Sequence, residues 1–462
     1  MKETIDTEVV IIGAGLTGLT LGYYLKKSGI PFKILEKDSR TGGVIQTIKE
    51  DGFLYETGPN TGVIGNPEVA ELFEDLKENC ILEIADPKAK KRLIWKKIKW
   101  HSLPSGPLSA IRTPLFRLKD KFRILGEPFR KAGTNPLESV ADLVRRRLGK
   151  SFLDYAIDPF IAGIYAGNPE KLVTKYALPK MYALEQDYGS LIKGGLKKSK
   201  LNKGNLRMSK ATREVFSAKG GLGSLTDALS KEVTSVNIIL EAQNVVSNKT
   251  EKGFLTSFQT KNKELAIQSK YLVSTVGAYS LGYILPFINP DKLEPITNLE
   301  YAKVVLTLLG YKEWFGNDIN AFGGLVPSKE KKNILGILFT SSFFSNRAPS
   351  GGALLSVFLG GSRLPMAIDM SDEEIKELVL AHIKEMMATN QEPDLIKIVR
   401  YPHAIAQYEA SSKERIEAIA ALENEYSGLI LGGNIRDGIG LADRIKQGRL
   451  IADEIQDALM KK

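Results

Sequence analysis

Residues 8–44 read EVVIIGAGLTGLTLGYYLKKSGIPFKILEKDSRTGGV, and this stretch decides the fold. Val9-Val10-Ile11-Ile12 is a short β-branched apolar run, the pattern of a buried parallel strand. Gly13, Gly15 and Gly18 then give G-x-G-x-x-G, with Ala14, Leu16 and Thr17 between them, at the entry to an amphipathic helix. Gly13 permits the tight turn, Gly15 lets backbone approach a pyrophosphate, and Gly18 lets the helix pack close to the sheet. The helix start contributes N–H donors and the positive end of its dipole. A second strand, Phe32-Lys33-Ile34-Leu35, ends at Glu36, placed to accept hydrogen bonds from a ribose. Strand, glycine turn, helix and acid at this spacing predict a dinucleotide site.

The motif leaves the dinucleotide open. Lys37 and then Arg40-Thr41-Gly42-Gly43-Val44 follow the acid. An acid followed by R-x-G-G resembles the flavoproteins with two dinucleotide-binding domains, which implies FAD rather than NAD, with the arginine and glycines around its pyrophosphate.

The 462 residues allow two to four domains with a large core, and 43% hydrophobic with 26% charged residues is ordinary for a globular chain. Cys80 is the single cysteine, so an internal disulfide is excluded, and His101, His382 and His403 lie far apart, so no metal site is expected. The first strand begins within ten residues of Met1, which leaves no space for a signal peptide and suggests a cytoplasmic location. Tyr271 to Pro290 is uncharged but carries Gly277, Gly282 and Pro286 among hydroxyl residues, and reads as a buried strand plus loop.

Charge is concentrated. Lys88–Lys131 holds fourteen Lys or Arg against Asp120 and Glu127, and Lys193–Arg213 holds eight against no acid, in a chain of net charge +10. A solvated face usually mixes signs, and nucleic acid would be attracted to such a run. The interleaving of apolar and basic residues in PLSAIRTPLFRLKDKFRIL favours an anionic membrane surface over both, with shallow insertion and no nucleic acid.

Further along, DGFLYETGPNTG predicts a hairpin and a Gly-Pro turn, Asn66 a cap for the helix that Pro67 begins, and Arg92 a place in a strand pair. Pro136–Pro179 reads as mostly helical, and 193–213 as a basic loop. Val215–Leu225 reads as strand, glycine turn and helix, 295–365 as an antiparallel sheet, and Ser371 with Glu374 as a capping box. His382 is expected at the border of that helix's inner face. Leu429-Ile430-Leu431 forms a last strand before a glycine-rich turn, and Leu441, Ile445, Gly448, Ala452, Ile455 and Leu459 make one helical stripe. Two glycine-rich helix starts at opposite ends of one chain suit an extended cofactor held at two places.

Gly58-Pro59-Asn60, LGKSFLDYAIDPFIAGIYAGNPEKL, AKGGLGSL, AFGGLVPS and GGNIRDGIGLADRI occur in that order. With them nearly the whole chain resembles the FAD-dependent protoporphyrinogen oxidases, a family that includes coproporphyrinogen III oxidases. The resemblance implies an α/β plus α+β architecture: a Rossmann-like FAD-binding domain (1–85, 208–285 and 405–462) interleaved with a mixed-sheet substrate domain (86–99 and 286–404). It also implies a helical, basic membrane-binding domain (100–207), placing the protein at the inner face of the membrane. By motif position, FAD would meet Gly13 to Gly18, Glu36, Lys37, Arg40, Gly42, Gly43, Val44, Gly58, Pro59, Asn60 and Thr61. Ile439, Gly440 and Leu441 would join them, and the backbone of Val245 would lie on the adenine side. Arg92 would bind a propionate of a porphyrinogen, although it could equally belong to the basic surface run with Lys90 and Lys91. Phe322, Gly323 and Leu325 would line the ring site or belong to the core. The implied reaction takes hydride from a bridging carbon to the flavin and releases a pyrrole proton, with oxygen as acceptor. No residue stands out as catalytic acid or base.

The chain departs from the family where Ala406-Gln407-Tyr408 is followed by Ser411-Ser412, and where Ile435 and Arg444 replace an aromatic and a cysteine of the last motif. A flavin amine oxidase or carotenoid-type desaturase is the alternative activity. The former needs an aromatic cage, of which Tyr408 could be half.

Overall fold

The computed structural model describes residues 3–201, 204–261 and 263–461. Its first sheet is built on the strand Glu3–Ile12, which pairs in parallel with Phe32–Leu35 on one side and Glu264–Ser274 on the other. Ile238–Ile239 extends the parallel set beyond Phe32–Leu35, and Leu429–Leu431 joins it on the end of Glu264–Ser274. The first half of Glu264–Ser274 instead pairs antiparallel with Gly253–Gln259, which pairs with Gln243–Thr250. Val9, Val10 and Ile11 are fully buried because helices cover both faces. The uncharged 271–290 stretch is therefore the end of a core strand followed by turns and short helices. Among the described residues no helix is long and apolar enough to cross a membrane.

The second sheet runs in the spatial order Leu395–Ala406, Tyr301–Tyr311, Ala353–Gly360, Ile334–Leu338, Gly323–Leu325, Arg92–Lys96, Lys99–Ser102. It is antiparallel except where Gly323–Leu325 meets Arg92–Lys96. The helix Asp372–Met387, started by the Ser371/Glu374 capping box, covers one face with Ile375, Val379, Ile383 and Met386. His382 is half-buried at the edge of that face, its Nδ1 against the Leu378 carbonyl at 2.7 Å.

Two expectations need correction. Asn66 precedes the helix Pro67–Leu76 but does not cap it through its side chain. Its Nδ2 instead donates to the carbonyl of Ala442, 2.9 Å away, and so ties this helix to the C-terminal one. The basic stretch 193–213 is not a loop. It contains helices Leu191–Leu201 and Leu206–Ser209, with Asn202 and Lys203 outside the described residues. The longer helix forms because the buried carboxylate of Glu127 accepts from the amides of Leu191 and Ile192 and from Ser190 Oγ, at 3.0, 3.3 and 2.5 Å. An anion brought to the helix start from 63 or more positions away supplies the cap that local sequence lacks.

The same carboxylate anchors the helical segment between the two sheets. Arg147 is fully buried and donates to Glu127 Oε1 at 3.0 Å, to the carboxylate of Glu185, and to the carbonyl of Gly189 at 2.9 Å. Arg146 bridges Glu185 and Glu138 beside it. Removing one member of a buried ion network leaves its partners charged and unpaired, at a cost of about 3–5 kcal/mol. Arg147→Ala is expected to lose that much stability in urea denaturation, and a loss below about 1 kcal/mol would contradict the anchoring role.

Candidate active site

The parallel strands end together. Gly13 N donates to the Leu35 carbonyl at 2.8 Å, Thr275 N to Ile12 at 2.9 Å, and Gly432 N to Ser274 at 2.8 Å. Thr275 Oγ1 also donates to the carbonyls of Ile12 and Gly13, at 3.0 and 3.1 Å. Gly13 has φ +102°, a conformation natural to glycine, and a Cβ on Gly18 would overlap the Gly13 carbonyl. Gly15, by contrast, has nothing within 4 Å of where its Cβ would be. It opens on the start of helix Leu16–Lys27, which has no side-chain cap and no acid in its first turn. Those free amides are an anion cradle.

Glu36 is buried. Its Oε2 accepts from Ala14 N at 2.8 Å and its Oε1 from Asp38 N at 3.0 Å, so the acid also fixes the shape of the glycine turn. Gly42 N donates to the Ala14 carbonyl at 2.8 Å, joining the second glycine loop to the first. The Arg40 guanidinium folds back on the carbonyls of Thr41, Gly43 and Ile45. Lys37 and Val44 are exposed. Val245 lies in the strand Gln243–Thr250, whose start is tied to Glu36 and Lys37 through Ala242 N and Gln243 Nε2.

Gly58, where a Cβ would overlap the Val44 carbonyl, leads through Pro59 to Asn60 and Thr61. Asn60 accepts from Ser356 Oγ at 2.8 Å, which links this turn to the second sheet. Nearby Glu56 accepts from Thr47 Oγ1 and Leu222 N, holding the AKGGLGSL turn; burial pushes its carboxyl up to about 7. At the far end Ile439, Gly440 and Leu441 open the helix Leu441–Met460. This helix packs on Leu16–Lys27 so closely that a Cβ on Gly448 would lie 2.8 Å from the Thr17 carbonyl oxygen. The two glycine-rich helix starts thus belong to contacting helices.

Arg92 pairs with Gly323 across the parallel register, and its guanidinium carbon lies 5.5 Å from the Phe322 ring centre. Among the described residues that guanidinium has no hydrogen bond and no ion pair. The protein around it pulls its pKa below the usual arginine range, although the residue as a whole is exposed. Phe322 packs against Phe343 with the rings tilted by 32° and their centres 4.8 Å apart. Leu325 lies against Gly163 of the FIAGIYAG segment.

Sequence reasoning missed the groups that brace these turns. Tyr408 is not half of an open cage: it is 2% exposed, and its hydroxyl donates to the Asn434 carbonyl at 3.0 Å. Arg444, noted only as a departure, is buried under the last glycine turn. Its one readable signal was a cation among the inward positions of a helical stripe.

Residues 16–455 match the family model described as flavin-containing amine oxidoreductase. The chain belongs to this family. A flavin family and a dinucleotide cradle together make the cofactor FAD, and the enzyme an FAD-dependent oxidoreductase. The chain is 28% identical to protoporphyrinogen oxidase 2 of Arabidopsis thaliana over 96% of its own length and 93% of that protein. It is 27% identical to coproporphyrinogen III oxidase of Bacillus subtilis, covering 98% and 97%. A crystal structure from Exiguobacterium sp. 255-15, named provisionally as a protoporphyrinogen oxidase, superposes with TM-score 0.80 at 22% identity over 98% and 99% of the two chains. The residues of both glycine turns fit FAD: free helix amides face an open Gly15, and the buried Glu36 stands at the end of the second strand.

Gly15 and Gly18 separate cofactor binding from folding. Gly15→Ala is expected to leave apoprotein stability within about 0.5 kcal/mol and to reduce retained FAD, whereas Gly18→Ala lowers stability itself by about 1–3 kcal/mol. Urea denaturation and the flavin-to-protein absorbance ratio check both. Equal behaviour of the two variants would contradict this assignment.

Proposed function

We propose that the chain oxidises a porphyrinogen, protoporphyrinogen IX or coproporphyrinogen III, to the corresponding porphyrin in haem biosynthesis, with oxygen as acceptor. The observation that carries this reading is Arg92. An unpaired guanidinium beside an aromatic and apolar wall is what a flat macrocycle with carboxylate arms requires. Full-length relatives named for porphyrinogen oxidation support it. The amine-oxidase alternative loses its aromatic cage, because Tyr408 is spent on the last turn and Ile435 is aliphatic and buried.

In this reading the FAD contacts are the residues of the two glycine turns, Glu36 to Val44, Gly58 to Thr61, Val245 and Ile439 to Leu441. When bound there, FAD would supply the hydride acceptor that oxidation of a carbon of the reduced ring requires. Arg92 holds a propionate, Phe322, Gly323 and Leu325 flank the macrocycle, and orientation is the protein's main contribution. Arg92→Ala is expected to raise KM for either porphyrinogen about tenfold or more with flavin content unchanged, and Arg92→Lys to recover part of the loss. Unaltered steady-state kinetics would remove Arg92 from the substrate site.

The same proposal places the helical segment on the inner face of an anionic membrane. Helix Leu118–Leu125 is inverted for a solvated protein: Leu118, Phe122 and Leu125 are 68–72% exposed on one face, while Asp120 is buried and accepts from Ser151 N. Leu108, Ile111, Phe129 and Leu196 are also exposed, among Arg112, Arg117, Lys119, Lys193 and Lys197. Apolar projections inside a basic rim suit insertion into anionic headgroups. Co-sedimentation with phosphatidylglycerol vesicles is expected to weaken several-fold between about 0.02 M and 0.5 M salt, and further in Leu118→Ser/Phe122→Ser. Equal pelleting under all conditions would contradict the membrane assignment.

A further inference from the structure

The turn Asn434–Gly438 has an unusual distribution of hydrogen bonds. Each of its five consecutive carbonyls accepts from a buried side chain. Asn434 accepts from the Tyr408 hydroxyl at 3.0 Å, and Ile435 from Arg415 Nε at 2.9 Å. Arg436, Asp437 and Gly438 accept from Arg444 Nη2 at 3.1, 3.1 and 3.0 Å. Arg415 is 0% and Arg444 8% exposed. Neither pairs with a carboxylate among the described residues: Arg415 turns to Ser412 Oγ and lies over the Tyr408 ring, and Arg444 turns to Gln447 Oε1. The nearby acid Asp437 binds Arg436 and Gln447 instead. Arg415 Nη1 and Arg444 Nε are buried without an acceptor.

Burying two guanidiniums without carboxylates is costly, and a plain connection between strand and helix does not require it. The consequence is visible in the backbone. With the carbonyls of Ile435 to Gly438 drawn toward the cations and that of Asn434 toward the Tyr408 hydroxyl, the amides of Asn434, Ile435 and Asp437 have no acceptor among the described residues, while that of Gly438 donates to the Tyr408 hydroxyl at 3.1 Å. Asp437 and Gly438 carry φ of +62° and +91°, the left-handed geometry that lets successive amides converge on an anion or oxygen.

We propose that Arg415 and Arg444, with Tyr408, are positioning residues for FAD: they hold the carbonyls of Asn434–Gly438 inward so that the amides of this turn are presented to oxygen acceptors of the cofactor. None of the three touches the cofactor in this scheme. They act through the backbone beside Ile439-Gly440-Leu441. The inference rests on the FAD assignment and is independent of which substrate is oxidised.

The test uses purified holoprotein and reads FAD dissociation by the recovery of flavin fluorescence, together with the unfolding temperature before and after adding excess FAD. Arg444→Met keeps the volume and removes the donors. It is expected to weaken FAD binding about tenfold or more and to shrink the FAD-induced rise in unfolding temperature, with partial rescue in Arg444→Lys. A folded Arg444→Met with an FAD dissociation constant within about twofold of the parent would overturn the proposal, including when its unfolding temperature falls equally with and without FAD. Should that variant not fold, Tyr408→Phe decides: it removes one hydroxyl from the Asn434 and Gly438 carbonyls and keeps the ring. About threefold weaker FAD binding supports the proposal, and unchanged binding overturns it.

Discussion

Everything at the site depends on the parallel register of three strands, in which Ile12 stands opposite Leu35 on one side and Ser274 on the other. That register brings the ends of segments more than 200 residues apart to one edge of the sheet. Gly13, Glu36, Thr275 and Gly432 then follow within hydrogen-bonding reach of one another's loops. A one-residue slip would turn the buried β-branched side chains to the wrong face and misplace Glu36 from the Ala14 amide. The crevice at the carboxyl ends of the strands is the usual place for a ligand in such folds. Here the N-terminal helix begins there, and the C-terminal helix runs alongside it with Gly448 against Thr17.

Around this edge the chain arranges buried polar groups as supports for backbone. Glu36 shapes the first glycine turn, Glu56 holds the AKGGLGSL turn to the hairpin, Asn60 links the Gly-Pro turn to the second sheet, and Arg444 holds the last turn. Each fixes main-chain amides or carbonyls of the cradle. The substrate side follows the opposite logic: among the described residues the Arg92 guanidinium lies by the Phe322 ring but has no hydrogen-bond or ion-pair partner, which keeps its charge available to a carboxylate.

Local patterns were legible in the sequence where one short stretch carries both the signal and its physical cause. The glycine fingerprint, the strand at 32–35, the Ser371/Glu374 capping box and the C-terminal stripe are of this kind. Arg92's place in a strand pair was also readable, but its isolation from acids was not, since that depends on what the fold brings near. The failures share one cause. Asn66 looked like a cap because its partner, Ala442, is 376 positions away. The helix Leu191–Leu201 looked like a loop because its capping carboxylate, Glu127, belongs to the preceding basic segment. Tyr408, Arg415 and Arg444 were unreadable as a group because only folding places them around one turn.

The central claim is that this FAD-binding frame oxidises a porphyrinogen. Its most direct test is the aerobic appearance of porphyrin fluorescence when the flavin-loaded protein is mixed with protoporphyrinogen IX or with coproporphyrinogen III, against a protein-free control for autoxidation. The account predicts that at least one of the two gains fluorescence at a rate proportional to protein concentration, and that the rate disappears when FAD is stripped. Rates equal to the control for both substrates, with FAD bound and oxidised, would contradict it.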